Sequence, residues 1–385
     1  MASNTTFFES PQAAAVYKHR LLRTYVPAWA GKVGSRAPGK RVFIYDAYSG
    51  PGRYDNQAPG SPELVVDTAI AMARLRTVHS IFSDKEPGYI ARLNDLLAEK
   101  GVPLDTYEVR EGTVETNLDD VISRVGEAPL FVFLDPFGLT VPFDVVVQTL
   151  IGRRKSGWSS TLQPKTELLM NFSYDAVRRI AGVLRSDSDH AARGAQIAAL
   201  DRALGGDWWQ GIATSAAEGW VHEILVGFAT RVVGAARGFG FITADVADSL
   251  SAQPIYELVL FTAHPDGLWE MANAMSFARQ DLARLPDQTG RGQEPGPAGH
   301  ARAGLRRQPR CVDPGDRLER SRPADRPGLR VSPVLPRRSV GQDARSCPRD
   351  PSPECAQAAR RGRPDPSLLK GQVGREGRSA PLTRK

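Results

Sequence analysis

The chain has 385 residues, enough for one large or two ordinary domains, and a formal net charge of +7. That charge is uneven: residues 281–385 hold 23 of the 50 Lys and Arg and 12 of the 43 Asp and Glu, leaving residues 1–280 with 27 basic and 31 acidic groups. The basic surplus thus belongs to the tail and gives the mildly acidic body no electrostatic case for gripping a polyanion; all three cysteines (Cys311, Cys347, Cys355) also lie in the tail, so the body can build neither a disulfide framework nor a Cys-ligated metal site.

The N-terminus shows no basic segment followed by an apolar core, and no apolar run approaches the ~20 residues of a membrane-spanning helix. The expectation is a cytoplasmic protein with no membrane segment. Residues 10–31 read as a helix, with Ser10 as its cap, Pro11 in the first turn, and an apolar stripe of Val16, Leu21, Leu22 and Tyr25. Lys18, His19, Arg20 and Arg23 fall among these and read as a solvated face; the alternative is a role for Lys18 or Arg23 at a substrate entrance.

Residues 42–46 form the first expected strand. It reaches an acid at Asp46 and breaks at Gly50 and Gly52, a turn that lets a ligand come close to the backbone. A nucleotide-type cofactor is the first hypothesis for this stretch. After a loop, Ser61 reads as an N-cap with Pro62 at the first helical position, and Leu64, Val65, Thr68, Ala69, Met72 and Leu75 mark an apolar face of the following helix.

A second strand, 79–83, ends at Asp84. An acid there can accept hydrogen bonds from both ribose hydroxyls, or it can cap a helix, and the sequence leaves both open. A helix over 90–100, a strand over 106–110 ending in Glu111-Gly112-Thr113, and a helix over 115–125 follow. The fourth strand, from Pro129 to Leu134, is continuously apolar, as in a parallel strand buried on both faces, and delivers Asp135-Pro136-Phe137-Gly138 at its tip. An acid at the end of a buried strand is costly unless hydrogen-bonded or at work, which favours function for Asp135.

A helix over 143–151 leads to Gly152-Arg153-Arg154-Lys155-Ser156-Gly157-Trp158. This basic stretch with one aromatic reads as a solvated loop, with contact to a phosphate backbone and base stacking as the alternative. A fifth strand, 167–172, precedes a mostly helical insertion at about 174–235, in which Trp208, Trp209 and Trp220 read as core. Strands over 239–243 and 255–262 and a helix over 268–279 close the pattern. Residues 281–385 contain no Phe, Trp, Tyr or Ile but 15 of the 29 prolines. Such a segment is expected to be disordered. It reads either as a polyanion-binding tail or, as we prefer, as out-of-frame reading of GC-rich coding DNA.

Strands alternating with helices, then a final strand pair, predict an α/β fold: a Rossmann-like, doubly wound, mostly parallel sheet of the class I methyltransferase type. The run from Asp46 through Gly50, Gly52 and Tyr54, then Gly60-Ser61-Pro62, Asp135 through Leu139, Glu167 through Phe172, and Tyr256 through Phe261 with His264-Pro265 and Gly267-Leu268 resembles the three-Cys-motif partner protein (TcmP) family over roughly residues 8–280. The resemblance implies a methyltransferase-like domain over residues 1–280 that binds S-adenosylmethionine. Asp46, Tyr48, Gly50 and Gly52 would line its methionine end, Asp84 would hold the ribose, and Gly112 and Thr113 would sit near the adenine. Asp135, Pro136 and Phe137 would be the catalytic tip, by their similarity to the Asp-Pro-Pro-aromatic motif of amino-methylating enzymes, although Phe137 stands where the second proline belongs and Gly138 where the aromatic belongs. The implied partners are a three-Cys-motif protein encoded nearby and, as acceptor, nucleic acid; no metal is implied. The alternatives are a non-enzymatic interaction module on the same fold and, more distantly, a nicotinamide dehydrogenase.

Overall fold

In the computed structural model, the structure describes residues 13–157, 163–185, 193–215, 217–247 and 253–282. The expected Ser10 cap, Trp158, the cysteines and nearly all of the tail lie outside them. In chain order the helices are α1 (Ala13–Gly34), α2 (Ser61–Met72), α3 (Pro87–Glu99), α4 (Val114–Val125), α5 (Phe143–Ile151), α6 (Tyr174–Arg185), α7 (Arg193–Leu204), α8 (Trp209–Ser215), α9 (Trp220–Ala236) and α10 (Pro265–Leu282). The strands are β1 (Arg41–Asp46), β2 (Thr77–Asp84), β3 (Tyr107–Glu111), β4 (Leu130–Leu134), β5 (Thr166–Ser173), β6 (Gly240–Val246) and β7 (Tyr256–Thr262).

They form a seven-stranded sheet in the order β3-β2-β1-β4-β5-β7-β6. The first five strands run parallel, whereas β7 pairs antiparallel with β5 and β6 antiparallel with β7. Alternation along each strand divides the core into two layers. Phe43, Tyr45, Val132 and Leu168 face a cluster with α4, α5 and the insertion helices α6–α9. Val42, Ile44, Phe131, Phe133 and Leu169 face a cluster with α1, α2, α3 and α10. With both faces covered, β4 has to be apolar at every position, and all five of its residues are buried.

Several sequence readings change: His19 is buried along with Lys18 instead of lying on a solvated face, and Leu75 lies past the end of α2 and is 62% exposed instead of packing with the helix's apolar face. Lys18 is buried rather than solvated. It lies four residues before Leu22 and seven before Tyr25, which puts it on the packed face of α1. Ser61 is the first residue of α2 instead of its cap; Gly60 is the cap, because its N–H bonds Gly52 O at 2.8 Å and any Cβ on it would lie 2.8 Å from that same oxygen. As expected, Trp209 is fully buried, and Trp208 and Trp220 pack against the same core. No helix among the described residues is long and apolar enough to cross a membrane.

Candidate active site

The parallel register brings the strand tips together at one edge. Asp46 pairs in register with Phe82 of β2 and Phe133 of β4, so Asp84 and Asp135 each lie two residues beyond its level on the flanking strands. Asp46 belongs to the α1-facing set with Val42 and Ile44. It is wholly buried, its Oδ1 accepts from Tyr48 N–H at 3.4 Å, and its Oδ2 has no hydrogen-bond partner within 3.5 Å among the described residues. Burial pushes this carboxyl up to about 7, with the Ser61 hydroxyl opposing the rise and Asp135 adding to it.

The turn after β1 is stitched to β2. Ser49 donates to Ser83 O through both its N–H and its hydroxyl, at 3.0 and 3.1 Å. Gly50, at φ 60°, donates its N–H to Asp84 Oδ2 at 2.9 Å, while Asp84 Oδ1 accepts from Glu86 N–H at the same distance. Asp84 is therefore the anchor of the glycine turn, and each of its oxygens keeps a lone pair for a further donor. Gly52, at φ 83°, is a glycine for packing: a Cβ there would lie 2.5 Å from Leu96 Cδ2 on α3. Gly112 donates to Asp84 O at 2.9 Å, and Thr113 caps α4 in a reciprocal capping box with Thr116. Tyr48 packs on the α4–α5 side of the sheet, where burial raises its phenol above the ordinary value.

Sequence reasoning singled out Asp135 but not what holds it. Lys18 Nζ on α1 donates to its Oδ2, and Asn171 Nδ2 on β5 donates to its Oδ1 at 2.9 Å. The side chains of Lys18 and Asp135 are 7% and 16% exposed, so this is an enclosed ion pair with a narrow opening on the acid's side. Burial by itself would lower the Lys18 ammonium, but Asp135, Tyr256 and Tyr54 together outweigh it and hold the ammonium above its ordinary value. His19, next along α1, packs edge-on against Tyr54 with ring centroids 6.0 Å apart. Burial, with Lys18 and Arg23 nearby, pushes its imidazole down to about 3. Pro136 is buried, whereas Phe137 is half exposed. The signal that could have found Lys18 was its phase on the helix; for Asn171 it was its place at the tip of the strand beside β4.

A second polar cluster sits at the same edge on the opposite face. Glu257 of β7, in register with Phe172, accepts from the Tyr174 hydroxyl and bonds His222 Nδ1 at 2.9 Å. Burial alone would raise this carboxyl, but the His222 and Tyr174 hydrogen bonds outweigh it and hold it below its ordinary value.

The described part of the basic stretch, 152–157, lies at the other end of the sheet and is spent on structure. Arg153 donates to the carbonyls of Gly126, Ala128 and Lys165 and to the Thr166 hydroxyl, all just before or at the start of β4 and β5. Arg154 donates to the carbonyls of Ala236 and Arg237, and Lys155 pairs with Glu127. A cavity of about 230 Å³ opens between α1, at Val16, His19, Arg20 and Arg23, the loop at Ala58 and Pro59, and Asp281. The three acids at the strand tips do not line it.

A mostly parallel sheet with this order and an antiparallel β7 is the Rossmann-like sheet of the class I methyltransferase type. No family model matches the chain, and no curated protein does, so the likeness to three-Cys-motif partner proteins remains one of motifs. Among solved structures, a protein from Legionella pneumophila strain Philadelphia 1 is similar at a TM-score of 0.37 and 10% identity, over 70% of this chain and 94% of its own. An rRNA methylase from Streptococcus thermophilus follows at 0.30 and 11%, over 62% and 93%. A geranyl diphosphate methyltransferase in complex with SAM stands at 0.26 and 11%, over 62% and 85%. Likeness at this level does not say what this chain binds.

Proposed function

We propose that the chain is an S-adenosylmethionine-dependent methyltransferase whose cofactor lies across the carboxyl edges of β1 and β2, with the acceptor beside Asp135. The observation that carries this reading is the stitched turn: Gly50 N–H on the Asp84 carboxylate, next to a buried Asp46 with an unpaired oxygen. The residues fit the cofactor. Asp46 Oδ2 suits the cationic methionine end, since a buried carboxylate oxygen without a hydrogen-bond donor is favoured to gain one. The remaining lone pairs of Asp84 suit the ribose hydroxyls, and Gly112 and Thr113 would border the adenine. When bound, the cofactor supplies an electrophilic methyl group. The chain's own part is orientation, with Asp135 held at a fixed place by Lys18 and Asn171.

Equilibrium dialysis of the full chain against labelled cofactor tests the reading. Saturable binding that Asp84→Ala abolishes supports it; no binding removes it. A second reading is a non-enzymatic module that works with a three-Cys-motif protein. The half-exposed Phe137 beside an acid already engaged by two internal donors favours it. Co-purification with that partner, together with cofactor binding but no methyl transfer, would select this reading.

A further inference from the structure

The site at the strand tips makes no use of the cations on the next turn of α1. Val16, His19, Arg20 and Arg23 fall at positions i, i+3, i+4 and i+7 of that helix and so share one face. This face lines the cavity of about 230 Å³, together with Pro59 and Asp281.

Arg20 and Arg23 place two like charges three residues apart, an arrangement that costs helix stability unless an opposite charge offsets it. Asp281 offsets one of them, its Oδ2 lying 2.9 Å from Arg20 Nε. Arg23 is exposed and has no ion-pair partner among the described residues. His19 is only 8% exposed, yet it lines the cavity and makes no hydrogen bond among the described residues beyond its ring contact with Tyr54. A nearly buried imidazole without a hydrogen bond is short of a partner. Burial, then Lys18 and Arg23, hold it neutral, so it offers a ring N–H without adding a third charge.

Donor geometry, size and charge narrow the ligand. One guanidinium fork already takes both oxygens of a carboxylate, whereas a phosphoryl group has three terminal oxygens for two forks and an imidazole. The cavity is smaller than the roughly 300–1,000 Å³ that encloses a drug-sized molecule. Val16 and Pro59 make part of its lining apolar. A long polyanion is disfavoured, because residues 1–280 carry 31 acidic against 27 basic groups.

We propose that this cavity binds a small phosphate monoester, with Arg23 and Arg20 on the phosphoryl oxygens, His19 as a further donor, and Val16 and Pro59 against the ester's carbon atoms. Asp281 competes for Arg20 and gives way when the phosphate enters. The site is separate from the strand-tip acids and does not depend on methyl transfer.

Calorimetric titration of the full chain tests this with three probes: inorganic phosphate, isopropyl phosphate, and a DNA oligonucleotide without terminal phosphates. Isopropyl phosphate should bind at one saturable site, about fivefold more tightly than inorganic phosphate because its carbon atoms are buried. The oligonucleotide offers only diesters and should not compete. Arg23→Gln should weaken binding about tenfold. Asp281→Asn should strengthen it about threefold by releasing Arg20. Arg202→Gln removes an exposed charge from α7, across the sheet, and should leave affinity unchanged. In a nitrogen NMR spectrum of the imidazoles, the His19 signal, assigned by its loss in His19→Gln, should move when isopropyl phosphate is added. No saturable binding, equal losses in Arg23→Gln and Arg202→Gln, or competition by the oligonucleotide at matched phosphate concentration would overturn the proposal. So would inorganic phosphate binding as tightly as the ester. None of these measurements contains S-adenosylmethionine, so failure here leaves the methyltransferase reading untouched.

Discussion

At the scale of single residues, Asp46 and Lys18 are the two informative groups, and each predicts a measurable consequence. The Asp46 carboxyl is raised from 3.8 to about 7 by burial, so the fold favours its neutral form. An acid whose folded value lies above its unfolded one costs stability as pH climbs between the two. Thermal stability should therefore fall from pH 5 to pH 8, by on the order of 2 kcal/mol from this group, and Asp46→Asn should flatten the fall. Glu167, pushed up to about 7 by burial despite its bonds from Tyr25 and Thr262, acts in the same direction. A cationic ligand reverses the preference and favours the carboxylate. Cofactor affinity measured by calorimetry should rise as pH passes through about 7 and level off above it, and Asp46→Asn should remove the dependence. For Lys18, removing the charge leaves Asp135 enclosed and unpaired, so Lys18→Met should cost about 3 kcal/mol in denaturant unfolding. Recovery of most of that loss by a second change, Asp135→Leu, would identify the unpaired acid as its cause.

At the scale of elements, the two glycines of the β1–α2 turn have different duties. Gly52 gives up its Cβ to Leu96 at 2.5 Å, so Gly52→Ala should destabilise by about 1–3 kcal/mol, and Leu96→Ala in the same chain should return part of it. Gly50 instead carries the N–H that holds Asp84, and its variants should show first in cofactor affinity. The Arg153 cage ties the starts of β4 and β5 at the edge opposite the strand tips. Arg153→Met removes these bonds and should cost about 2–4 kcal/mol, with cofactor affinity unchanged. A drop in affinity without loss of stability would instead place that loop in binding.

At the scale of the whole molecule, the layered sheet was legible in the sequence because its signals are local: the apolar run of β4, the breaks at glycine and proline, and the acid at each strand tip. The antiparallel pair that ends the sheet was legible as two adjacent strand patterns. What did not show is what depends on distant elements meeting. Lys18 and Asp135 are 117 residues apart and meet only because α1 packs on the face that Asp135 points toward. The cage around Arg153 was hidden for the same reason: a basic run looks the same whether it meets water or carbonyls. The account as a whole rests on the cofactor edge, and one titration tests it. S-adenosylmethionine titrated calorimetrically into the full chain at pH 8 should give saturable single-site binding, weakened at least about tenfold in both Gly50→Val and Asp84→Ala variants that retain the native circular dichroism spectrum. Absence of binding heat in the unaltered chain, or equal affinity in both variants, would contradict it.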